Sequence, residues 1–340
     1  MRAKTLCLRG LWLGMAVLAI TLLVQGPAWA AARTLRFQVN YAGTSHGGDS
    51  MKHFAQQVAQ ESKGELECQL FWEGQALKTG EAFSAMQKGM VDGLYSALLY
   101  YGGVVKEAHW EWLPFAWDNP DQVVELYYKH GLLKIMEEAL AGHGVKYLAA
   151  IPMGTLGFLT KFPVQTLADF KGKKIRGAGP QATVVQLLGA SPVSLSAAEQ
   201  YTALQRGTID GSIYPFYTIG AYKFYEVVDY VVTPGVYSPC VIDLTMNQKT
   251  WDGLSAPQKE AVARAAYNTV QWASRQNEKW DEEGLAVCRE HKVHINKIAK
   301  AEMHKLRSAT APMWDQVAER SPLSAKAVQT IQDFWLQQRK

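Results

Sequence analysis

The 340-residue sequence holds only four cysteines, and one of them, Cys7, falls in the first thirty residues. The other three, Cys68, Cys240 and Cys288, lie far apart with no C-x-x-C between them. An exported chain could form one disulfide, but three is an odd number and the sequence does not pair them, so the three are read as mostly buried free thiols. Beyond residue 30 no apolar run is long enough to cross a bilayer. No basic stripe or RNA-binding motif is present, so nucleic acid is not an expected partner. No phosphate-cradling P-loop or dinucleotide fingerprint is read, and no cofactor is expected. The pair His291-x-x-His294 has no third ligand nearby in sequence and reads as two surface histidines rather than a metal site. No low-complexity linker divides the chain, which argues for a chain that crosses between its parts several times.

What is present begins with an export signal. Arg2, Lys4 and Arg9 form a basic head, Leu11 to Val24 is an apolar run of 14 residues, and Ala28-Trp29-Ala30 is a small-x-small cleavage site. Residues 1–30 are therefore expected to be removed, leaving an exported, periplasmic chain. The mature chain is nearly neutral, because the leader carries three basic residues and no acidic ones. About 310 residues remain, enough for two lobes with a core each.

A second feature is a long-range repeat. Glu81 to Gly93 reads E-A-F-S-A-M-Q-K-G-M-V-D-G, and Glu199 to Gly211 reads E-Q-Y-T-A-L-Q-R-G-T-I-D-G. Six of the thirteen positions are identical and five more are close exchanges, at an offset of 118 residues. Solenoid repeats recur at about 20–50 residues, so this offset describes one unit built once in each of two similar lobes. In each copy a short helix ends at a glycine suited to the left-handed conformation, Gly89 and Gly207, and a strand and an Asp-Gly turn follow. Asp92 and Asp210 read as turn formers. Two matching lobes enclose a cleft, where small ligands tend to sit.

Strands alternate with helices along the rest of the chain, which predicts mostly parallel α/β sheets. The spacing predicts a helix over 50–62, a strand over 94–99, one helix over 122–141 and a strand over 225–232. A Ser255…Gln258 capping box with Pro257 in the first turn opens one helix to about residue 291. At ~1.5 Å per residue it would run some 50 Å, long enough to lie along both lobes.

Two constellations bear on chemistry. Gly43-Thr44-Ser45-His46-Gly47 matches G-x-S-x-G between a strand and a helix, the setting of a hydrolase nucleophile. It follows the first mature strand, so no earlier strand supplies a second oxyanion donor. An exported serine hydrolase is accordingly the alternative reading, and a glycine turn delivering a helix N-terminus the favoured one. Arg176 closes a short strand before Gly177-Ala178-Gly179-Pro180. Its planar fork suits a carboxylate, while the neighbouring Lys171, Lys173 and Lys174 leave a plain surface arginine equally open.

With these residues in view, the chain resembles the DctP family, the extracytoplasmic solute-binding subunits of TRAP transporters, over about Leu35 to Ala318. The resemblance rests on Asp169-Phe170-Lys171-Gly172-Lys173-Lys174-Ile175-Arg176, then Leu188 to Val193, then Tyr201 to Gly211. It implies a two-lobed, type II-like periplasmic-binding-protein fold with a long helix spanning both lobes. The lobes are expected at 31–155 plus about 245–290, and at about 156–244 plus 291–340. It also implies a ligand carboxylate bound by Arg176, a small and a large membrane subunit as partners, and no catalysis. A ligand sensor for a receptor kinase would use the same fold.

Two departures narrow the ligand. Tyr214 stands where many members carry asparagine, and Gly154 to Leu159 lacks the second arginine that many carry. An aromatic or bulky monocarboxylate, such as an indole-, phenyl- or 2-keto acid, is therefore expected. His46, Trp72, Tyr95, Phe216, Tyr217 and Tyr237 join Arg176 and Tyr214 as candidate ligand contacts, because aromatic rings stack on flat ligands and leave a polar tip.

Overall fold

The computed structural model describes residues 32–338. The expected leader, its cleavage site and Cys7 lie outside the described residues. Two mixed sheets organise the rest. The first has the order β2-β1-β3-β10-β4, from β1 (Arg33–Val39), β2 (Leu66–Phe71), β3 (Gly93–Ser96), β4 (Val145–Pro152) and β10 (Val241–Asn247). The second has the order β11-β9-β5-β8-β6-β7. Its strands are β5 (Leu156–Thr160), β6 (Lys174–Arg176), β7 (Ser191–Val193), β8 (Gly211–Pro215), β9 (Tyr230–Tyr237) and β11 (His294–Lys297).

The sequence repeat occupies equivalent places in the two sheets. β3 runs parallel to β1 with Gly93 opposite Phe37, and β8 runs parallel to β6 with Gly211 opposite Ile175. Each Asp-Gly aspartate ties down its neighbouring strand. Asp92 Oδ2 accepts from Arg36 N at 2.8 Å, and Asp210 Oδ2 accepts from Lys174 N at 2.8 Å. Gly89 and Gly207 both adopt positive φ, +77° and +69°, which ends the short helix without a Cβ penalty. Gly93 is required by space, because a Cβ there would lie 2.1 Å from the Phe37 ring.

The sheets are less parallel than the alternation of elements predicts. β10 is antiparallel to both β3 and β4, and β5 is antiparallel to both β8 and β9. The reason is topological. The chain leaves the first sheet through β4 and returns through β10, while it enters the second through β5 and leaves through β9. A departing and a returning strand run in opposite directions. The crossings fall at 153–155 and 238–240, so all of β10 belongs to the first sheet, ahead of the expected boundary at 244/245. The last helix, Pro322–Gln338, packs on helices Pro120–Tyr128 and Leu132–Ala141 beside the first sheet, although 291–340 was expected with the other lobe.

The long helix is Ala256–Glu290, with the Ser255/Gln258 capping box formed as expected. Its buried stripe is largely small: Ala261, Ala265, Ala266, Ala273 and Gly284 let it approach closely. It clamps the first crossing, since Asn277 Oδ1 accepts from Gly154 N at 2.6 Å and Asp281 Oδ1 accepts from Thr155 N at 2.9 Å. Farther along, Gly284 lies so close to Phe216 that a Cβ would meet its carbonyl oxygen at 2.4 Å. The helix thus touches both sheets.

Local readings shift in several places. The expected helix over 122–141 is two helices broken at Gly131, whose φ is +89°. The expected strand over 94–99 ends at Ser96, and a 3₁₀ turn, Leu98–Tyr101, follows. The strand expected at 225–232 starts only at Tyr230, after a 3₁₀ turn at Phe224–Glu226. Cys68, Cys240 and Cys288 are free thiols.

Candidate ligand-binding site

Arg176 is buried, 1% exposed, at the end of β6. The strand is anchored by Ile175 in the core and by β7 and β8 on either side. All of its nitrogens are engaged by neutral oxygens. Nε donates to Leu195 O at 3.1 Å, and one terminal nitrogen donates to Gln181 Oε1 and to Ile213 O, each at 3.3 Å. The other donates to Tyr100 Oη at 2.8 Å. Tyr100 comes from the 3₁₀ turn after β3, so this last bond joins the two sheets' ends. The rings of Tyr214 and Tyr100 lie 5.3 and 5.8 Å from the guanidinium carbon. Among the described residues Arg176 forms no ion pair. The guanidinium is thus held away from water with neutral acceptors only.

Around it lies a small cavity whose polar lining includes Tyr41, Tyr100, Trp112, Gln181, Tyr214 and Tyr217 beside Arg176. The free space is about 20 Å³, room for about one water molecule. Bonds that tie the two sides together here include Arg176–Tyr100 and Ala42 N to Tyr222 Oη at 3.2 Å. Burial raises the Tyr41, Tyr214 and Tyr217 hydroxyls well above the usual phenol range, so all three remain neutral. The Trp112 indole nitrogen is buried with no hydrogen-bond partner. One cation and no carboxylate line the cavity. Two larger surface grooves, about 480 and 520 Å³, meet at Phe115 and Arg307 and contain neither Arg176 nor the tyrosines.

The sequence candidates distribute unevenly. Arg176, Tyr214 and Tyr217 line the cavity. His46 stands one layer back, stacked on Trp280 at 5.0 Å and tilted against Tyr217 at 4.8 Å. Burial lowers its pKa, opposed by Glu283 and Asp49. Tyr95 backs Tyr41 at 5.7 Å, and Tyr237 backs Trp112 at 5.9 Å. Phe216 is turned toward Gly157 in the core of the second sheet, and Trp72 covers Gly43 near Lys52. Tyr41, Tyr100 and Gln181 were not singled out. Tyr100 is hidden in the sequence because a continuous strand to 99 places it beyond the element that bears it. The spacing of the repeat did hold a usable signal: Ala97, Leu99 and Tyr100 follow the first copy, Tyr214, Pro215 and Tyr217 follow the second, and all six line the cavity.

The G-x-S-x-G segment is a helix cap. Ser45 Oγ donates to Ala42 O at 2.7 Å and accepts from Gly48 N at 3.2 Å, opening the helix His46–Glu61. A Cβ at Gly48 would meet the Ala42 carbonyl at 2.6 Å, which accounts for that glycine by packing. His291 and His294 stack on Tyr225 and Tyr230, and no group of three potential metal ligands occurs among the described residues. Residues 177–182, between β6 and the next helix, do carry a G-x-G-x-x-A spacing, which the sequence reading passed over. Two of the loop's amides are already used, Gly177 N by Val193 O and Ala178 N by Gln181 Oε1.

Two like sheets joined by a clamping helix, with a small cavity between their strand ends, make a two-lobed α/β fold. The profile of the bacterial extracellular solute-binding protein family 7, DctP, matches residues 38–321, and the chain belongs to that family. The 2,3-diketo-L-gulonate-binding periplasmic protein YiaO of Escherichia coli is 29% identical over 241 residues, 69% of this chain and 72% of that protein. The sialic acid-binding periplasmic protein SiaP of Vibrio cholerae is 26% identical over 251 residues, covering 73% and 78%. A TRAP periplasmic solute-binding protein from Desulfovibrio salexigens, solved with bound orotic acid, superposes with a TM-score of 0.84 at 22% identity. That match covers 89% of this chain and 99% of the other.

Proposed function

We propose that this protein binds a small organic monocarboxylate between its two sheets and passes it to the small and large membrane subunits of a TRAP transporter. The observation that carries the reading is Arg176, buried at the cavity wall with four neutral acceptors and no carboxylate partner. A ligand carboxylate would take the place of Tyr100 Oη on the guanidinium and form the charge-assisted pair that the protein itself does not supply. The tyrosine and tryptophan walls favour a flat apolar or aromatic body, such as a phenyl-, indole- or 2-keto acid, over a dicarboxylate, since no second cation lines the cavity. The absence of a lining carboxylate disfavours ligands with an ammonium group.

In this reading the two closing bodies are built on the two sheets, and opening breaks the Tyr100 and Tyr222 contacts. The leader 1–30 directs export to the periplasm and is cleaved near Ala30. A thermal-shift screen over organic acids tests the proposal, because a ligand that binds only the folded state raises the melting temperature with its concentration. Stabilisation by aromatic monocarboxylates, lost in Arg176→Ala, is expected. Tight binding of succinate with no response to aromatic acids would overturn the ligand class, and an Arg176→Ala variant of unchanged affinity would overturn the site.

A further inference from the structure

Behind the cavity lies a second group of buried polar residues that the carboxylate site does not use. Asp243 on β10 is fully buried and Glu111, in the 3₁₀ helix Lys106–Trp112, is 2% exposed. Tyr147 Oη, from β4, lies 2.8 Å from Asp243 Oδ1 and 3.1 Å from Glu111 Oε1. Tyr127 Oη, from helix Pro120–Tyr128, donates to the same Glu111 oxygen. Asp243 Oδ2 accepts from Leu98 N at 2.7 Å. Tyr95 and Cys240 also face Asp243, and burial holds both neutral. The hydrogen bonds to the two carboxyls come from Tyr127, Tyr147 and the Leu98 amide, and among the described residues no lysine, arginine or histidine forms an ion pair with either.

Counting hydrogens decides the charge. The Tyr147 hydroxyl has one proton and faces two carboxyl oxygens. Both contacts are satisfied when one carboxyl donates to the phenol oxygen while the phenol donates to the other. Two buried carboxylates with no cation nearby would repel each other strongly, which favours the same singly protonated arrangement. Burial pushes Asp243 up to about 7, against the lowering effect of its hydrogen bonds with Leu98, Tyr147 and Glu111. Burial and then repulsion from Asp243 push Glu111 well above the carboxylate range.

The position of this group ties it to the site at three points. Asp243 holds the first amide of the turn that carries Leu99 and Tyr100, and Tyr100 Oη is the acceptor on Arg176. Its chain neighbour Ile242 lines the cavity, and so does Trp112, the residue after Glu111. We propose that Glu111 and Asp243 are a proton-sharing positioning pair: their common proton keeps the Leu98–Tyr101 turn and Trp112 in place against Arg176, and carboxylate binding is linked to it. Loss of the proton sets two like charges against each other and adds negative charge one residue behind the cavity wall. Carboxylate affinity then falls as pH rises. By linkage, binding an acid at neutral pH or above draws a proton onto the pair.

This inference rests on the carboxylate reading of Arg176, and the experiment separates the two. Infrared spectra of the mature protein are compared with those of Asp243→Asn and the double variant Asp243→Asn/Glu111→Gln, whose amides mimic the neutral carboxyls. Phenylpyruvate and indole-3-acetate are then titrated into wild type and the double variant from pH 6 to pH 9. A protonated-carboxyl band at pH 7 in wild type, absent from the double variant, is expected. Affinity is expected to weaken about tenfold or more by pH 9 in wild type and to stay level in the double variant. Should the double variant not fold, Asp243→Asn and the wild-type band carry the test. Absence of that band, or acids that bind through Arg176 with equal pH dependence in both proteins, overturns the pair. A titrating band with no acid bound at any pH overturns the carboxylate reading and leaves the pair standing.

Discussion

Replacing Arg176 by methionine should separate stability from binding. In the ligand-free protein the guanidinium makes four hydrogen bonds to neutral oxygens, each worth about 1.5–3 kcal/mol for a charged donor. Against them stands a penalty of several kcal/mol for holding an unpaired cation away from water. The two terms are of similar size, and Arg176→Met fills most of the vacated volume. The unfolding free energy should therefore change by no more than about 2 kcal/mol. Binding has no such compensation. A carboxylate left in the closed cavity without its partner loses about 2–5 kcal/mol, a 30-fold to few-thousandfold rise in Kd. Urea unfolding of the ligand-free variant measures the first quantity and isothermal titration with the acid found by screening measures the second. A stability loss above about 4 kcal/mol with unchanged affinity in the folded fraction would show that Arg176 is a structural residue.

Three further perturbations test other parts of the account. Gly93→Ala sets a methyl against the Phe37 ring and should destabilise by about 1–3 kcal/mol, the usual cost of overpacking; an unchanged urea midpoint would refute the close approach of β1 and β3. Ser255→Ala removes the cap of the long helix and should lower stability by about 1 kcal/mol without altering ligand affinity; a large affinity change would mean the helix end takes part in closure. Asp243 gives a pH dependence with a definite sign. Its folded pKa is raised by burial from 3.8 to about 7, so stability is greatest below its unfolded pKa and declines as pH rises toward 7. Asp243→Asn should therefore gain on wild type in midpoint between pH 4 and pH 7, and parallel midpoints across that range would refute the buried acid.

What could be read before folding was mostly local. Gly89 and Gly207 carry their left-handed geometry in the sequence, because only glycine takes that φ freely. The capping box at Ser255 and Gln258 likewise needs residues only three apart. The repeat gave the like sheets, since one sequence pattern builds one supersecondary unit wherever it occurs. Arg176 was legible through its place at a strand end before a glycine turn, although the sequence alone left it no better than even with a surface arginine.

The remainder depended on distance. Glu111 and Asp243 stand 132 residues apart, and neither has a local pattern to mark it. Their pairing exists because β10 returns from the second sheet and lies beside β4. The same return makes the sheets mixed, brings Cys240 and Ile242 to the cavity, and ties the Tyr100 turn to Asp243. Among the aromatics, composition supplied many candidates, and backbone direction divided them into wall (Tyr41, Tyr100, Trp112, Tyr214, Tyr217) and backing (Tyr95, Phe216, Tyr237). The sequence by itself determined the family and the two like units, because each is written in contiguous residues. Only the tertiary structure decided which side chains meet Arg176, because the cavity is assembled from strand ends that the chain reaches on separate passes.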